Sequence, residues 1–219
     1  MAKRRKVSNL LALSLLNMLM ERPMYPYEMA TTLRQRGKDQ AIKINWGSLY
    51  TVVQNLEKYG FIEAVEVVRD GKQPERTTYQ ITEAGRAEVV DWLRELVSVP
   101  EREYTRFEAG LGEFTILGPD EVISLLQQRL AALDTGIAKS QASLDDLTMQ
   151  LPRLFLIESE YQLALQRAEA EWVRGMLEEL TSGTFPGLAA WRHYFETGVF
   201  PDEATVLAEF GGKGASADS

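Results

Sequence analysis

Two runs rich in β-forming residues, A-V-E-V-V (64–68) and T-T-Y-Q-I (77–81), are separated by R-D-G-K-Q-P-E-R (69–76), whose Asp-Gly and Pro are turn residues. They predict a β-hairpin with a long basic tip, and helix patterns enclose it on both sides. Upstream, residues 7–21 carry Leu10, Leu11, Leu13, Leu15, Leu16, Met18 and Leu19 on most sides, the pattern of a helix buried on more than one face, and Pro23 ends it. Pro26 suits the first position of a second helix, where its missing N–H would have no partner anyway. Met29, Ala30 and Leu33 give that helix one apolar face, and Gly37 can supply its left-handed cap. A third helix opens at Asn45 and closes on Gly60, with Leu49, Val53 and Leu56 at i, i+4 and i+7 and Val52 beside them. Downstream, Thr82 caps a helix of 84–98 carrying Val89, Val90, Trp92, Leu93, Leu96 and Val97, which Pro100 stops. Three helices, a hairpin and a further helix are the element order of the winged helix-turn-helix.

The third helix starts on Trp46, Gly47, Ser48 and Tyr50, a poor set if stability were its only purpose. A recognition helix enters the major groove with its N-terminal residues at the base edges. Its first turn then needs small or hydrogen-bonding groups, and its free N–H groups favour a phosphate. Gly47 allows close backbone approach, the Tyr50 hydroxyl can donate to a phosphate, and Ser48, Thr51 and Asn55 project away from the Leu49/Val53/Leu56 face. Asn45, at the helix start, joins these candidate DNA contacts. In the wing they are Arg69, Lys72 and Arg76, and before the first helix lies the basic run Lys3-Arg4-Arg5-Lys6. Each has a plainer reading: Gly47 as a tight helix start, Trp46 as core, the wing and the basic run as solvated charge. Their coincidence in one helix-plus-hairpin unit favours DNA.

The net charge of −8 is uneven: residues 1–100 sum to +3 and residues 101–219 to −11. One half can face a polyanion while the other keeps the molecule away from it. The chain has no cysteine and a single histidine, His193, so neither a cysteine-ligated metal, nor a histidine-paired nucleophile, nor a multi-histidine metal site can be built. There is no Gly-rich phosphate loop and no G-x-S-x-G. The reading is therefore not an enzyme, and no cofactor or metal is expected. The opening run K-R-R-K-V-S-N-L-L-A-L-S-L-L is broken by Ser14 and followed by Glu21-Arg22-Pro23, unlike a signal peptide. It is also too short and too polar to span a bilayer, so it reads as a buried first helix of a cytoplasmic protein.

In the second half, Leu126, Leu130, Leu133, Ile137, Leu144, Leu147 and Leu151 form a heptad seam interrupted by Ser140 and Gln141. Gly118-Pro119-Asp120 starts this helix and Pro152 limits it. A second long helix runs to about Leu180, with Ile157, Tyr161, Leu165, Ala168, Trp172 and Met176 along one side. Such a pair leaves an apolar stripe that a second chain would bury as a coiled-coil-like dimer; the alternative is a bundle closed within the chain. Aromatic residues from Tyr104 to Phe210 are numerous here and can line a pocket for an aromatic or hydrophobic small-molecule effector, or simply form core. The expected domains are 1–100 for DNA binding, 101–210 for helical dimerisation and effector response, and a disordered tail at 211–219.

M-Y-P-Y-E-M (24–29), W-G-S-L-Y-T-V-V-Q-N-L-E-K-Y-G-F-I (46–62) and T-Y-Q-I-T-E-A-G-R (78–86) together carry a resemblance. Residues 7–98 resemble the PadR family of bacterial and archaeal transcriptional regulators. The family usually has Pro where Thr51 stands and Gly where Pro26 stands, and its wing is more basic than this one, which is broken by Gln73, Pro74 and Glu75. The resemblance implies a winged-helix fold with a C-terminal dimerisation domain. It also implies a homodimer on an inverted-repeat DNA operator, most often a repressor, released by an effector. Tyr27, in the first motif, joins the candidate DNA contacts. The competing reading is a winged-helix module that binds another protein and no DNA.

Overall fold

The computed structural model describes residues 5–37, 46–68 and 76–199. The chain divides into two compact units, Met1–Arg102 and Glu103–Ser219.

In the first unit, α1 (Leu10–Leu19) begins later than the apolar run does, because Asn9 caps it: the side-chain oxygen accepts from the Leu11 N–H at 2.8 Å. Leu11, Leu15, Leu16, Met18 and Leu19 are all buried, as a helix apolar on most sides requires. Helix α2 (Pro26–Gln35) has its proline in the first turn and ends at Gly37, whose φ of +64° is the left-handed cap. The third helix differs from its expected start. Trp46–Ser48 is a 3-10 turn, and α3 runs only over Leu49–Lys58 before Gly60 turns left-handed at φ +74°. A glycine and a serine hold an α-helical turn weakly, and a 3-10 turn is a common way to begin such a helix. The side chain of Trp46, expected in the core, lies outside the described residues, as does Asn45.

Strands β1 (Ile62–Val68) and β2 (Arg76–Ile81) pair antiparallel, with a bulge between Ala64 and Glu66. The other edge of β2 is used as well: Met24 and Tyr79 exchange both backbone hydrogen bonds at 3.0 Å, so the entry to α2 forms a one-residue third strand. Helix α4 (Glu83–Ser98) is capped by Thr82, whose hydroxyl accepts from the Gly85 N–H at 3.1 Å. The same residue ties α4 to the turn after α3: its N–H donates to the Phe61 carbonyl at 3.0 Å and its hydroxyl to the Gly60 carbonyl at 2.6 Å. At Gly85 a Cβ would overlap the Phe61 carbonyl oxygen, so only glycine lets α4 sit this close. Met24, Met29, Leu33, Val53, Leu56, Ile62, Val89 and Trp92 close one core with α1.

In the second unit, α5 (Arg106–Glu113) precedes the long helices α6 (Pro119–Thr148) and α7 (Ile157–Ser182), and α8 (Leu188–Thr197) follows. Pro119 sits in the first turn of α6, and Gly183 at φ +78° ends α7. Helices α6 and α7 pair with each other. Val122 and Leu126 of α6 are buried with Val173, Leu177 and Leu180 of α7 and with Leu188 and Trp191 of α8. The Trp191 indole N–H donates to the Leu117 carbonyl at 3.0 Å, and its ring meets Phe114 edge-on at 5.0 Å.

Candidate nucleic-acid interface

The 3.6-residue period of α3 sorts its side chains cleanly. Leu49, Val52, Val53 and Leu56 are buried in the first unit. Thr51, Gln54 and Lys58, at i, i+3 and i+7, run along the middle of the outward face, flanked by Tyr50, which is 59% exposed. Gly47 is exposed in the preceding turn; Ser48 and Asn55 are half-buried at the margin of the face. Spacing favours Ser48, Thr51 and Asn55 on this helix; Gln54 and Lys58, on the neighbouring side, are more exposed than Ser48 and Asn55. Gln54 and Lys58 lie opposite the Leu49/Val53/Leu56 stripe and the Val52 beside it. On α2, Tyr27 is 66% exposed. Tyr79 of β2 links the wing to α3, its hydroxyl donating to the Glu57 carboxylate at 3.4 Å. Burial, and then the Glu57 charge, push the Tyr79 phenol above its ordinary value.

Of the expected basic contacts, Lys3, Arg4, Arg69 and Lys72 lie outside the described residues, as does the side chain of Arg76, which opens β2. Arg5 is placed differently from its expected role as a candidate DNA contact. Its side chain is 4% exposed and turned onto α4. One guanidinium nitrogen donates to Glu88 at 2.6 Å and to Asp91 at 3.3 Å, and the other pairs with Glu95. The group lies 5.4 Å from the centre of the Trp92 ring. Burial alone would lower its pKa, but the hydrogen bonds and charges of Glu88 and Glu95 outweigh burial and raise it. Three carboxylates and an indole hold Arg5 more firmly than a phosphate in water would, which is why this member of the basic run faces inward. Lys6 stays exposed, its ammonium 5.8 Å from the centre of the Tyr59 ring.

The expected dimerisation residues divide into two groups. Leu126 is buried, and Leu130, Leu133, Ile137, Leu144 and Leu147 are half-buried on the side of α6 that meets α7 in the same chain, so this seam is largely occupied within the protomer. Ser140 and Gln141, which interrupt the seam, hydrogen-bond across to Gln166 and Arg167 of α7. Leu151 falls beyond the helix and is 43% exposed. The expected stripe on the second helix faces outward: Ile157, Tyr161, Leu165 and Trp172 are each about half exposed or more, joined at the hairpin tip by Leu154 and Phe155. A recess of about 260 Å³ opens between α6 and α7, lined by Arg129, Ala132, Leu133, Gly136 and Gln166 and by no aromatic side chain. Among the described residues no group of three or more His, Cys, Asp or Glu is placed to hold a metal ion. No helix among them is long and apolar enough to cross a membrane.

Comparison with known proteins bears on this arrangement at two levels. Residues 15–91 match the Transcriptional regulator PadR-like family. No protein of curated function matches the chain. Among solved structures, Bacillus subtilis PadR in complex with operator DNA is similar at TM-score 0.64 and 18% identity, covering 80% of this chain and 99% of that one. The same protein in complex with p-coumaric acid is similar at TM-score 0.64 and 18% identity, over 79% and 99%. The Vibrio cholerae virulence activator AphA follows at TM-score 0.58 and 18% identity, over 78% and 98%. At such identities the structures share a fold, and their coverage carries it past the first unit into the second. The winged helix, its motifs and the family match agree over residues 15–91, the part of the chain that is similar to the Transcriptional regulator PadR-like family.

Proposed function

We propose that the protein is a homodimeric, sequence-specific DNA-binding transcriptional repressor, released from its operator by a small aromatic or hydrophobic effector. The observation that carries the reading is the outward face of α3, polar and exposed at Tyr50, Thr51, Gln54 and Lys58 while its opposite face is buried. It stands beside a wing in a PadR-like domain, and the similar Bacillus subtilis PadR has been seen with operator DNA and with p-coumaric acid. The DNA contacts assigned are Tyr27, Asn45, Gly47, Ser48, Tyr50, Thr51, Asn55, Arg69, Lys72 and Arg76, together with Lys3 and Arg4. Gln54 and Lys58 are added, and Arg5 is removed from direct contact. Dimerisation is assigned to the second unit through the outward stripe Ile157, Tyr161, Leu165 and Trp172; the Leu126–Leu147 seam supports it from within each protomer. The reading includes no catalysis and places the protein in the cytoplasm, where its DNA is.

The test is selection of genomic DNA fragments by the purified chain, with light scattering on the same sample. The expected result is an inverted repeat whose half-sites lie about 34–36 Å apart, one helical turn, bound by a particle of twice the 24.7 kDa chain mass. Retention of no fragment above random DNA would favour a protein-binding winged helix instead.

A further inference from the structure

Tyr59, the residue that ends α3, has two lysine ammoniums near its ring: Lys6 at 5.8 Å and Lys58 at 5.9 Å from the ring centre. Both lie within cation–π range, and the two charges are therefore within about 12 Å of each other. Two exposed ammoniums in one neighbourhood make a patch of positive potential that suits a polyanion. Among the described residues neither has a carboxylate partner, and the nearest in sequence, Glu57, accepts from the Tyr79 hydroxyl. Lys58 alone has an ordinary explanation, since a cation at a helix C-terminus complements the helix dipole. Lys6 has none of that kind. It comes from a segment with no secondary structure of its own, and what fixes that segment is the preceding residue: Arg5, held by Glu88, Asp91 and Glu95 and stacked near Trp92. The Arg5 Nε, buried and without a hydrogen-bond partner, shows that this placement is reached at some cost.

We propose that Lys6 and Lys58 grip the nucleic-acid backbone at the end of the recognition helix, each on its own phosphate, and that Arg5 is the positioning residue that holds Lys6 there. The proposal rests on the DNA-binding reading above and adds to it a hold at the opposite end of α3 from the first turn. The grip reads no bases, so its effect is the same on any sequence. It makes Arg5 contribute to DNA binding while its own charge is neutralised by protein carboxylates.

The experiment is binding of random-sequence duplex DNA to the full chain, followed by fluorescence anisotropy over a range of NaCl concentrations. Circular dichroism and thermal melting are recorded on each variant. Lys6→Gln and Lys58→Gln are each expected to reduce the slope of log K against log[salt] by about one unit for each subunit engaged. Arg5→Lys, which keeps the charge but loses the fork that spans three carboxylates, is expected to lower the slope as Lys6→Gln does. In a Lys6→Gln background, Arg5→Lys is then expected to change the slope no further, an outcome that a merely stabilising role for Arg5 would not produce. A Lys6→Gln/Lys58→Gln protein that folds and keeps the wild-type slope overturns the grip while leaving DNA binding intact. Wild-type protein with no salt-dependent binding at all overturns the DNA reading itself, and the grip with it.

Discussion

Helices α3 and α7 each turn one face into their own unit and one away from it, and the outward faces differ in kind. α3 sends Leu49, Val52, Val53 and Leu56 inward and Thr51, Gln54 and Lys58 outward. α7 sends Leu163, Ala170, Val173, Leu177 and Leu180 inward, but its outward face carries Ile157, Tyr161, Leu165 and Trp172. A polar outward face is stable in water by itself and remains available to a hydrated polyanion. An apolar one loses roughly 25 cal/mol for every Å² left wet, so it gains most from another protein surface like itself. The kind of partner is set by the class of side chain that faces out, and the length or amphipathicity of the helix alone does not reveal it.

The inward faces should behave alike, and they carry the largest expected effects. Leu56→Ala in α3 and Leu180→Ala in α7, both at fully buried positions, should each lower stability by about 2–5 kcal/mol through the cavity left behind. Urea unfolding measures this, and a loss well below 1 kcal/mol at either site would break the symmetry of the two inner faces. The outward faces should then part company. Trp172→Ala should weaken self-association by about 2 kcal/mol or more, as large aromatic anchors at interfaces do, with little change in secondary structure. Sedimentation over a dilution series reads it, and an unchanged dissociation constant would mean that the α7 stripe is not the dimer surface.

On α3, Thr51→Ala and Gln54→Ala should leave melting within about 0.5 kcal/mol of wild type, since both are exposed. Operator binding should fall by about 1–3 kcal/mol for each base edge that the shortened side chain can no longer reach. If both variants bind the operator like wild type, the outward face has been drawn in the wrong place. The smallest effect concerns the link from wing to helix. Because the Tyr79 pKa is raised in the fold, its contribution to stability is complete below the ordinary tyrosine value of 10.0 and is lost as pH rises through the higher folded value. Tyr79→Phe should remove that alkaline loss. Melting temperature against pH should therefore fall more steeply for wild type than for the variant on the alkaline side, and parallel curves there would mean that Tyr79 titrates as an ordinary tyrosine.

Local chemistry made most of the fold legible. Pro26, Thr82 and Pro119 start helices, Gly37 and Gly183 end them, and each acts within a few residues of itself. What escaped was non-local. The inward turn of Arg5 depends on carboxylates more than eighty residues away along the chain. The heptad of α6 is a true stripe, but a period cannot say whether α7 of the same chain or a second chain covers it. On α7 two stripes compete; the one with Tyr161 and Trp172 is the more conspicuous in sequence, whereas Val173, Leu177 and Leu180 make the internal contact. Of the candidate interface, Tyr50 and Thr51 were readable from spacing. Gln54 and Lys58 lie on the neighbouring side of the same helix, and a period alone does not rank that side above the one with Ser48, Thr51 and Asn55; burial does.

The joint at Gly60, Phe61, Thr82 and Gly85 bears on how such a protein could be retargeted. These residues lie within the two motifs that make the sequence look familiar, and their contacts are within the fold: two hydrogen bonds and a bare Cα lock the end of α3 to the start of α4. The side chains at 50, 51, 54 and 58 point elsewhere and take no part in that lock. The chain therefore separates its grammar from its vocabulary. An engineer can rewrite the outward positions 50, 51 and 54 of α3 as a set, leave Lys58 as it is, and expect the wing to remain where it is, whereas a single methyl group added at Gly85 would shift the frame in which every new word is read.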